Sequence, residues 1–238
     1  MKQRILITCE HGGNLIPDEY QEVFSGHKDV LASHRGYDIG ALELYRQFAA
    51  DLSDAAFYSE TSRLLVELNR SLHHPNLFSA VTKPLPETAR EHIIQNYYNP
   101  YRQAVEDKIA YFVKTGYLVK HISVHSFTPV LNGQKRDADI GLLFDPKREG
   151  EKQLCQKWKR RLQVLDPDLR IRFNYPYKGT ADGFTTYLRK KYNPEEYIGI
   201  ELEVNQKFPQ LDQTSWPKLQ QNLLLSLRSV LHQDENKE

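Results

Sequence analysis

The 238 residues carry 32 lysines and arginines against 31 aspartates and glutamates, a formal net charge of +1. This balance argues against nucleic-acid binding through phosphate neutralisation alone, and a chain of this length can bury a core without disulfides. A composition that is 39% hydrophobic and 26% charged is typical of a globular protein and too apolar for global disorder. We expect one domain over residues 1–238, with a frayed polar tail at 233–238.

Cysteine usage and apolar runs indicate the compartment. Cys9 and Cys155 form no C-x-x-C pair and no disulfide framework, so we interpret both as reduced thiols. The apolar run at 5–7 is too short for the core of a signal peptide, and no stretch approaches the roughly 18 apolar residues of a membrane span. We therefore expect a cytoplasmic protein with no membrane partner. The sequence gives no indication of the oligomeric state.

The first half of the chain alternates strands and helices. A short apolar run that ends in a glycine-containing loop is typical of a buried strand. Asp38 can cap the helix that follows it. Pro100 suits a helix start better than a helix interior, so the long helical region around it is predicted as two helices or one kinked helix. The predicted elements are strands at 5–9, 55–58 and 64–68 and helices at 39–52 and 87–114.

The second half continues this alternation. Its predicted elements are strands at 118–125, 138–144, 171–173 and 197–204 and helices at 149–165, 181–191 and 216–231. Strands that alternate with helices favour an α/β fold of three layers, in which helices cover both faces of a mostly parallel, open sheet. Ligands of such folds bind beyond the carboxyl ends of the strands.

Several predicted strands end in chemically active side chains. Glu201 and Glu203 alternate with apolar residues, so they share one face of a run that looks central. Two carboxylates there are costly unless a cation or hydrogen-bond donors meet them. We therefore predict a functional site at the strand ends. These ends are Cys9-Glu10-His11-Gly12-Gly13-Asn14, Glu67-Leu68-Asn69-Arg70-Ser71, Ser123-Val124-His125-Ser126-Phe127 and Glu201-Leu202-Glu203-Val204-Asn205.

The residue types at these ends match one kind of chemistry. Two imidazoles and a carboxylate make a three-ligand catalytic zinc site with an open position for water. A second carboxylate can take the proton of that water and return it to a leaving amine. An arginine can hold a substrate carboxylate through two hydrogen bonds, and an adjacent asparagine amide adds a donor. The set points to an amidase that acts on a carboxylate-bearing small molecule.

Two other interpretations have weaker support. A nucleophilic hydrolase would use Cys9 or Ser126, but Cys9 lies inside a predicted strand and no Gly-x-Ser-x-Gly elbow surrounds Ser126. The neighbouring His73 and His74 invite a metal interpretation. Adjacent side chains of a strand point apart, however, and rarely converge on one ion.

Short motifs follow one another from residue 9 to residue 206; each alone is weak, but their order is specific. They are Cys9-Glu10-His11-Gly12-Gly13-Asn14-Leu15-Ile16-Pro17, His34-Arg35-Gly36-Tyr37-Asp38-Ile39-Gly40-Ala41, Ser62-Arg63 with Glu67-Leu68-Asn69-Arg70, Ser123-Val124-His125-Ser126-Phe127, Pro176-Tyr177-Lys178-Gly179 with Gly183-Phe184-Thr185-Thr186, and Leu202-Glu203-Val204-Asn205-Gln206. The ordered set resembles the N-formylglutamate amidohydrolase family, and its plan is similar to that of zinc carboxypeptidases and aspartoacylases. The resemblance implies a phosphorylase/hydrolase-like α/β/α fold, one Zn²⁺ per chain and an N-formyl or other N-acyl amino acid as substrate, such as N-formyl-L-glutamate.

The resemblance also implies metal ligands. His11 and His125 match the family histidines and are the implied zinc ligands. Asp38 matches an acidic residue of the family and is the preferred third ligand. The carboxypeptidase pattern has a glutamate three residues after the first histidine, where this chain has Asn14. Asn14 and Glu10 therefore remain alternatives.

A base and a set of substrate-binding residues follow from the same resemblance. Glu203 is the implied general base because Glu203-Val204-Asn205-Gln206 matches the segment that begins with the family's catalytic glutamate, and Glu201 is the alternative. Asn69 and Arg70 match the pair expected to grip the substrate carboxylate. Arg63 is either a second cation that binds the substrate or part of a surface salt bridge. The remaining implied substrate-binding residues are Lys178 and Thr185.

One departure bears on the substrate. Formylglutamate deformylases tend to have an arginine after the Thr-Thr pair, whereas here Tyr187 follows Thr186 and the next arginine is Arg189. The resemblance therefore supports the family's hydrolytic reaction more strongly than its substrate specificity. The alternatives are an N-acyl amino acid deacylase of other specificity, a zinc carboxypeptidase-like peptidase, and a non-catalytic module that captures acidic ligands through Arg70.

Overall fold

The computed structural model describes residues 2–211 and 214–232, so the tail predicted at 233–238 lies outside the described residues. The strands are β1 (Gln3–Cys9), β2 (Ala55–Tyr58), β3 (Leu118–Phe127), β4 (Val130–Leu131), β5 (Gln134–Lys135), β6 (Ile140–Leu143), β7 (Ile171–Phe173) and β8 (Tyr197–Asn205). The helices are α1 (Lys28–Leu31), α2 (Ala41–Leu52), α3 (Glu87–Ile93), α4 (Asn99–Lys114), α5 (Glu149–Leu165), α6 (Phe184–Lys191), α7 (Lys207–Leu211) and α8 (Ser215–His232). A 3₁₀ turn (Asp18–Tyr20) and a π-helical turn (Ile94–Tyr98) complete the regular structure.

Six strands form one sheet in the order β2-β1-β3-β8-β6-β7. The β6–β8 pair is antiparallel and the other pairs of this sheet are parallel. Helices α2, α5 and α8 pack on one face, and α4 and α6 pack on the other. The predicted α/β class and mostly parallel open sheet are confirmed. Within the described residues, none of the helices combines the length and apolar character needed to cross a membrane.

Side-chain alternation in the two central strands separates core from site. On β3, Ile122 and Val124 are buried in the apolar core under α2, α5 and α8. The intervening Ser123 and His125 therefore point to the opposite face, the face of α4 and α6. The same parity on β8 buries the apolar even-numbered residues and sends the odd-numbered glutamates to the face of α4 and α6. The carboxyl ends of these strands thus present polar groups on one side of the sheet.

The strand predicted at 64–68 is wrong. This run is buried but forms turns, and the Glu67 N–H donates to the carbonyl oxygen of Leu77 at 2.9 Å rather than to a strand. Its apolar residues join a separate cluster that includes Ile93 and Tyr98. A short apolar run predicts that its residues are buried but does not distinguish a strand from buried turns. Strand β2 is therefore the edge of the sheet.

Two helix starts differ from prediction. The helix predicted from residue 39 begins at Ala41, because Gly40 adopts a left-handed backbone with φ of 83°. Asp38 therefore makes no side-chain cap, and only its carbonyl oxygen accepts from the Ala41 N–H, at 3.0 Å. The helix predicted from residue 181 begins at Phe184. The region around Pro100, predicted as two helices or one kinked helix, consists of α3 and α4 joined without a break by the π-helical turn.

A hairpin that the sequence analysis did not predict follows β3. Strands β4 and β5 pair antiparallel around Asn132 and Gly133, whose φ values are 51° and 76°. Positive φ at both central residues is what a type I′ turn requires, and Asn-Gly is its commonest sequence. The Asn132-Gly133 dipeptide is therefore the sequence feature that could have predicted this hairpin.

Candidate active site

Backbone hydrogen bonding holds Asp38 beside His11. His11 lies in the turn directly after β1. The Asp38 N–H donates to the His11 carbonyl oxygen at 2.9 Å, which ties the segment before α2 to the end of β1. The loop geometry thus brings together two residues 27 positions apart in the sequence.

The register of β3 against β8 brings His125 and Glu203 together at the same end of the sheet. His125 lies opposite Glu203, and Ser123 lies opposite Glu201, in a parallel pairing that puts all four side chains on one face. Both glutamates are buried. Strand parity thus decides the shared face, and the register decides which residues lie opposite one another.

Three of the predicted metal ligands converge. His11 Nδ1 lies 3.2 Å from Asp38 Oδ2, and His125 Nδ1 lies 2.9 Å from the same oxygen. Each side chain is at most 3% exposed. Two imidazole nitrogens and a carboxylate oxygen at these separations are a donor set that could hold a metal ion. Within the part of the chain that the structure describes, this is the group of histidine, cysteine and acidic residues able to hold a metal ion.

The opposite nitrogens of both histidines meet carboxylates. His11 Nε2 contacts Glu67 Oε1. His125 Nε2 lies 3.2 Å from Glu10 Oε2 and 2.8 Å from the hydroxyl of Ser123. Carboxylates behind metal-ligating histidines orient the ring and fix which nitrogen carries the proton. Here Nε2 of each ring faces a supporting carboxylate, and Nδ1 of each ring faces Asp38 Oδ2.

Two opposing effects, burial and nearby positive charge, determine the pKa values of these carboxylates. Burial alone would raise the pKa of Glu10, but the hydrogen bond and charge of His125 bring it below its usual value. Burial opposes the charged form of Asp38 as well, yet His11, His125 and Arg63 hold the pKa of Asp38 well below its ordinary range. Both groups are therefore anions inside the protein.

Arg63 lies between two of the acidic groups. Its Nη1 donates to Asp38 Oδ1 at 3.0 Å, and its Nε donates to Glu67 Oε2 at 2.9 Å. Burial would raise the pKa of Glu67, but the Arg63 charge and then His11 lower it well below the usual value. Arg63 borders the cavity, and it is an internal counter-ion as much as a potential substrate contact.

Glu203 differs from the other carboxylates of the site. Its Oε2 atom is buried and has no hydrogen-bond partner, whereas Glu201 Oε1 accepts from the Thr185 hydroxyl at 2.7 Å. Burial raises the pKa of Glu203 to about 8, with the charges of Asp38 and Glu201 adding to the rise and His125 opposing it. A carboxyl group with a free oxygen and a pKa near neutrality can both accept and return a proton.

These groups face a cavity of about 140 Å³. This size suits the reacting part of an amino acid derivative. The residues that line the cavity are His11, Asp38, Arg63, Asn69, Arg70, His125, Ser126, Tyr177, Lys178, Ala181, Asp182, Glu201 and Glu203.

The predicted substrate-binding residues fall into two groups. Asn69, Arg70 and Lys178 line the cavity. Asn69 Oδ1 accepts from the Phe184 N–H at 2.6 Å, which turns the amide Nδ2 toward His125 at 3.5 Å. The Arg70 guanidinium contacts the carbonyl oxygens of Asn69 and Asp182, and the described residues offer it no carboxylate partner at salt-bridge distance. Thr185 lies behind the cavity wall, where its hydroxyl serves Glu201.

The alternative metal ligands lie elsewhere. Asn14 Nδ2 donates to the carbonyl oxygen of Leu31 at 3.1 Å, outside the cavity. Glu10 approaches His125 from the side of Nε2, opposite to Asp38. The geometry therefore groups Asp38, rather than either alternative, with the two Nδ1 atoms.

The two potential nucleophiles and Arg189, the first arginine after the Thr-Thr pair, are buried and have structural contacts. Burial raises the pKa of the Cys9 thiol well above its usual value, which makes it unreactive. The Ser126 hydroxyl donates to the Ile39 carbonyl oxygen at 2.8 Å. Arg189 does not line the cavity: its Nε donates to buried Glu151 at 2.9 Å, and its Nη atoms donate to backbone carbonyl oxygens.

Sequence reasoning missed several residues of the site. Glu67 was assigned to a strand, although its spacing of four from Arg63 is a common ion-pair signal. Tyr177 lies in the Pro176-Tyr177-Lys178-Gly179 motif without a predicted role, and Asp182 lies in none of the motifs. Both line the cavity. Their positions depend on long-range packing, which spacing alone does not reveal.

Comparisons with known proteins identify the family of the chain. The family model for N-formylglutamate amidohydrolase matches residues 3–208. The structure is similar to that of gene product Atu2144 from Agrobacterium tumefaciens, with a TM-score of 0.83 and 26% identity over 99% of this chain and 93% of that one. It is also similar to an N-formylglutamate amidohydrolase from Ralstonia eutropha JMP134, with a TM-score of 0.69 and 18% identity over 99% of this chain and 96% of that one. No curated protein matches the chain. The chain belongs to the N-formylglutamate amidohydrolase family and is a hydrolase of the amide bond.

Proposed function

We propose that the chain is a zinc-dependent amidohydrolase that removes the formyl group from N-formyl-L-glutamate. One observation carries the proposal. His11 Nδ1, His125 Nδ1 and Asp38 Oδ2 meet in a cavity whose wall includes the unpartnered Oε2 atom of Glu203. Family membership supports the amide substrate.

The residues present fit a metal ion. Buried carboxylates around the two histidines outnumber the neighbouring arginine, and such an excess is costly without a further cation. Two nitrogens and one oxygen are a typical donor set for catalytic zinc. His11, His125 and Asp38 would hold the ion, with Glu67 and Glu10 supporting the rings. When bound there, zinc would lower the pKa of a water molecule toward about 7 and polarise a carbonyl group.

Glu203 would move the proton. Its free Oε2 atom accepts a proton from the attacking water and later gives that proton to the nitrogen of the leaving amine. A carboxyl group that hydrogen-bonds to no protein donor through this oxygen is available to do so. Glu201 is less suited because Thr185 already donates to it.

Arg70 and Asn69 would orient the substrate. A guanidinium without a carboxylate partner and an amide that points toward His125 can hold the carboxylate next to the scissile amide. Family membership favours a single acylated amino acid over a polypeptide. This observation supports the deformylase over a carboxypeptidase-like peptidase.

The test has two parts. Elemental mass spectrometry of protein purified without chelator or added metal should give about one zinc per chain. The same protein should release formate from N-formyl-L-glutamate faster than acetate from N-acetyl-L-glutamate. Absence of bound zinc and of uptake at micromolar zinc would overturn the metal assignment, and binding of N-formyl-L-glutamate without turnover would favour the binding module.

A further inference from the structure

Two cations at the mouth of the cavity have no acidic partner. Within residues 2–211 and 214–232, neither Arg136 nor Lys178 has a carboxylate at salt-bridge distance. The acid next to Arg136 is Asp137, and Arg170 engages it. Arg136 is nevertheless partly buried, while its neighbours Lys135 and Asp137 are exposed.

Aromatic contacts hold Arg136 beside the cavity. Its Nη1 donates to the Tyr177 hydroxyl at 3.2 Å, and its guanidinium lies 5.1 Å from the centroid of the Tyr177 ring. The same guanidinium lies 5.8 Å from the ring of Phe127, two residues after His125. Because Tyr177 is part of the cavity wall, these contacts place the charge of Arg136 at the rim.

The loop that carries Tyr177 and Lys178 is anchored at both ends. Asn174 Oδ1 accepts from the N–H groups of Phe144 and Gly179, each at 3.0 Å. These bonds hold the backbone of the two rim residues in place before any ligand arrives, which lowers the entropic cost of binding.

The cavity leaves one place for a second anion. Arg70 can take one carboxylate of a substrate, as argued above. Arg63 also lines the cavity, but its guanidinium already engages two carboxylates, those of Asp38 and Glu67. The acidic residues of the wall, Asp38, Asp182 and the two glutamates of β8, would repel a further carboxylate. The unpaired cations at the rim remain.

We propose that Arg136, together with Lys178, binds the side-chain carboxylate of the substrate and so selects N-acyl derivatives of dicarboxylic amino acids. This inference rests on the proposed function, for which it supplies the specificity. Tyr177 is a positioning residue, because its hydroxyl orients the guanidinium that makes the contact.

The experiment compares a charged substrate with its neutral isostere. The ratio of kcat/KM for N-formyl-L-glutamate to that for N-formyl-L-glutamine is measured for the wild type, Arg136→Gln and Lys135→Gln. Since a hydrogen bond to a charged group is lost, the ratio should fall about tenfold in Arg136→Gln, mainly through KM for the acidic substrate. The exposed Lys135 on the same hairpin is the matched control, and its variant should keep the wild-type ratio.

A binding measurement separates this inference from the proposed function. Calorimetry of the zinc-loaded proteins with L-glutamate and L-glutamine reads the same selectivity without turnover. Hydrolysis of neither formyl compound would refute the proposed function, while a glutamate preference that Arg136→Gln loses would still support the subsite. An unchanged preference in Arg136→Gln in both assays would overturn the subsite, and so would an equal loss in Lys135→Gln, which indicates general charge attraction.

Discussion

Replacing Glu203 by glutamine should remove most of the turnover and leave the metal site intact. The substitution keeps the shape of the side chain but removes the group that accepts a proton at the unpartnered Oε2 atom. A positioned general base contributes about 10²–10⁴ in rate. We therefore expect kcat to fall by about this factor, which corresponds to about 3–5 kcal/mol in activation free energy.

Glu201→Gln is the matched control. The two glutamates are two residues apart on β8 and share a face, but Glu201 Oε1 already accepts from Thr185 at 2.7 Å. A glutamine there keeps an acceptor oxygen for that hydroxyl. At most one hydrogen bond of about 1 kcal/mol is at stake, so we expect a loss of no more than about fivefold in kcat.

Both variants are assayed by the release of L-glutamate from N-formyl-L-glutamate, with zinc per chain measured on the same samples. Full zinc content with a large loss in Glu203→Gln and a small loss in Glu201→Gln is the expected result. A Glu203→Gln protein with wild-type kcat would refute the assignment. If Glu201→Gln shows the larger loss, Glu201 is the base and hydrogen bonding by Thr185 does not disqualify it.

Three further changes test the surroundings of the site. His125→Ala should lose the bound zinc, as elemental analysis of the purified variant will show; retention of one zinc per chain would contradict its role as a ligand. Glu10→Gln should weaken zinc binding about 10–100-fold in a chelator competition, because it removes the carboxylate behind His125; an unchanged Kd would make Glu10 a purely structural residue. Burial lowers the pKa of His121 to about 4, below about 6.5 in the unfolded chain. The folded state thus binds fewer protons there, and the free energy of unfolding should fall by up to about 3 kcal/mol as pH drops from about 6.5 to about 4. Urea unfolding at both pH values should show a smaller drop for His121→Gln, and equal drops would refute this account.

The sequence predicted the sheet and the strand-end residues because both follow from local pattern. Alternation on β3 and β8 sends the apolar residues to one core and leaves His125 and Glu203 on the opposite face. Parallel strands then carry these side chains to the same edge. No long-range information is needed for this step, since chain order and parity suffice.

The supporting residues could not be predicted in this way. Glu67 lies in an apolar run whose burial resembles that of a strand, and its contact with His11 depends on how that run folds back through turns. Arg136 follows a hairpin that was missed, and its contact with Tyr177 joins two segments 41 residues apart. Such contacts arise from the packing of loops, for which a single sequence carries little periodic signal.

Negative charge predominates in the interior of the site, and unpaired positive charge lies toward its mouth. Inside, the carboxylates around His11 and His125 exceed the charge of Arg63, so a bound cation lowers the cost of burying them. Arg70 in the cavity wall and Arg136 at the mouth lack carboxylate partners at salt-bridge distance among the described residues and attract an anion. Under the proposed function, the bound cation and the cations at the mouth would together allow an anionic substrate to approach this acidic interior. Loss of an internal ligand should therefore act mainly on kcat, whereas loss of a cation at the mouth should act mainly on KM.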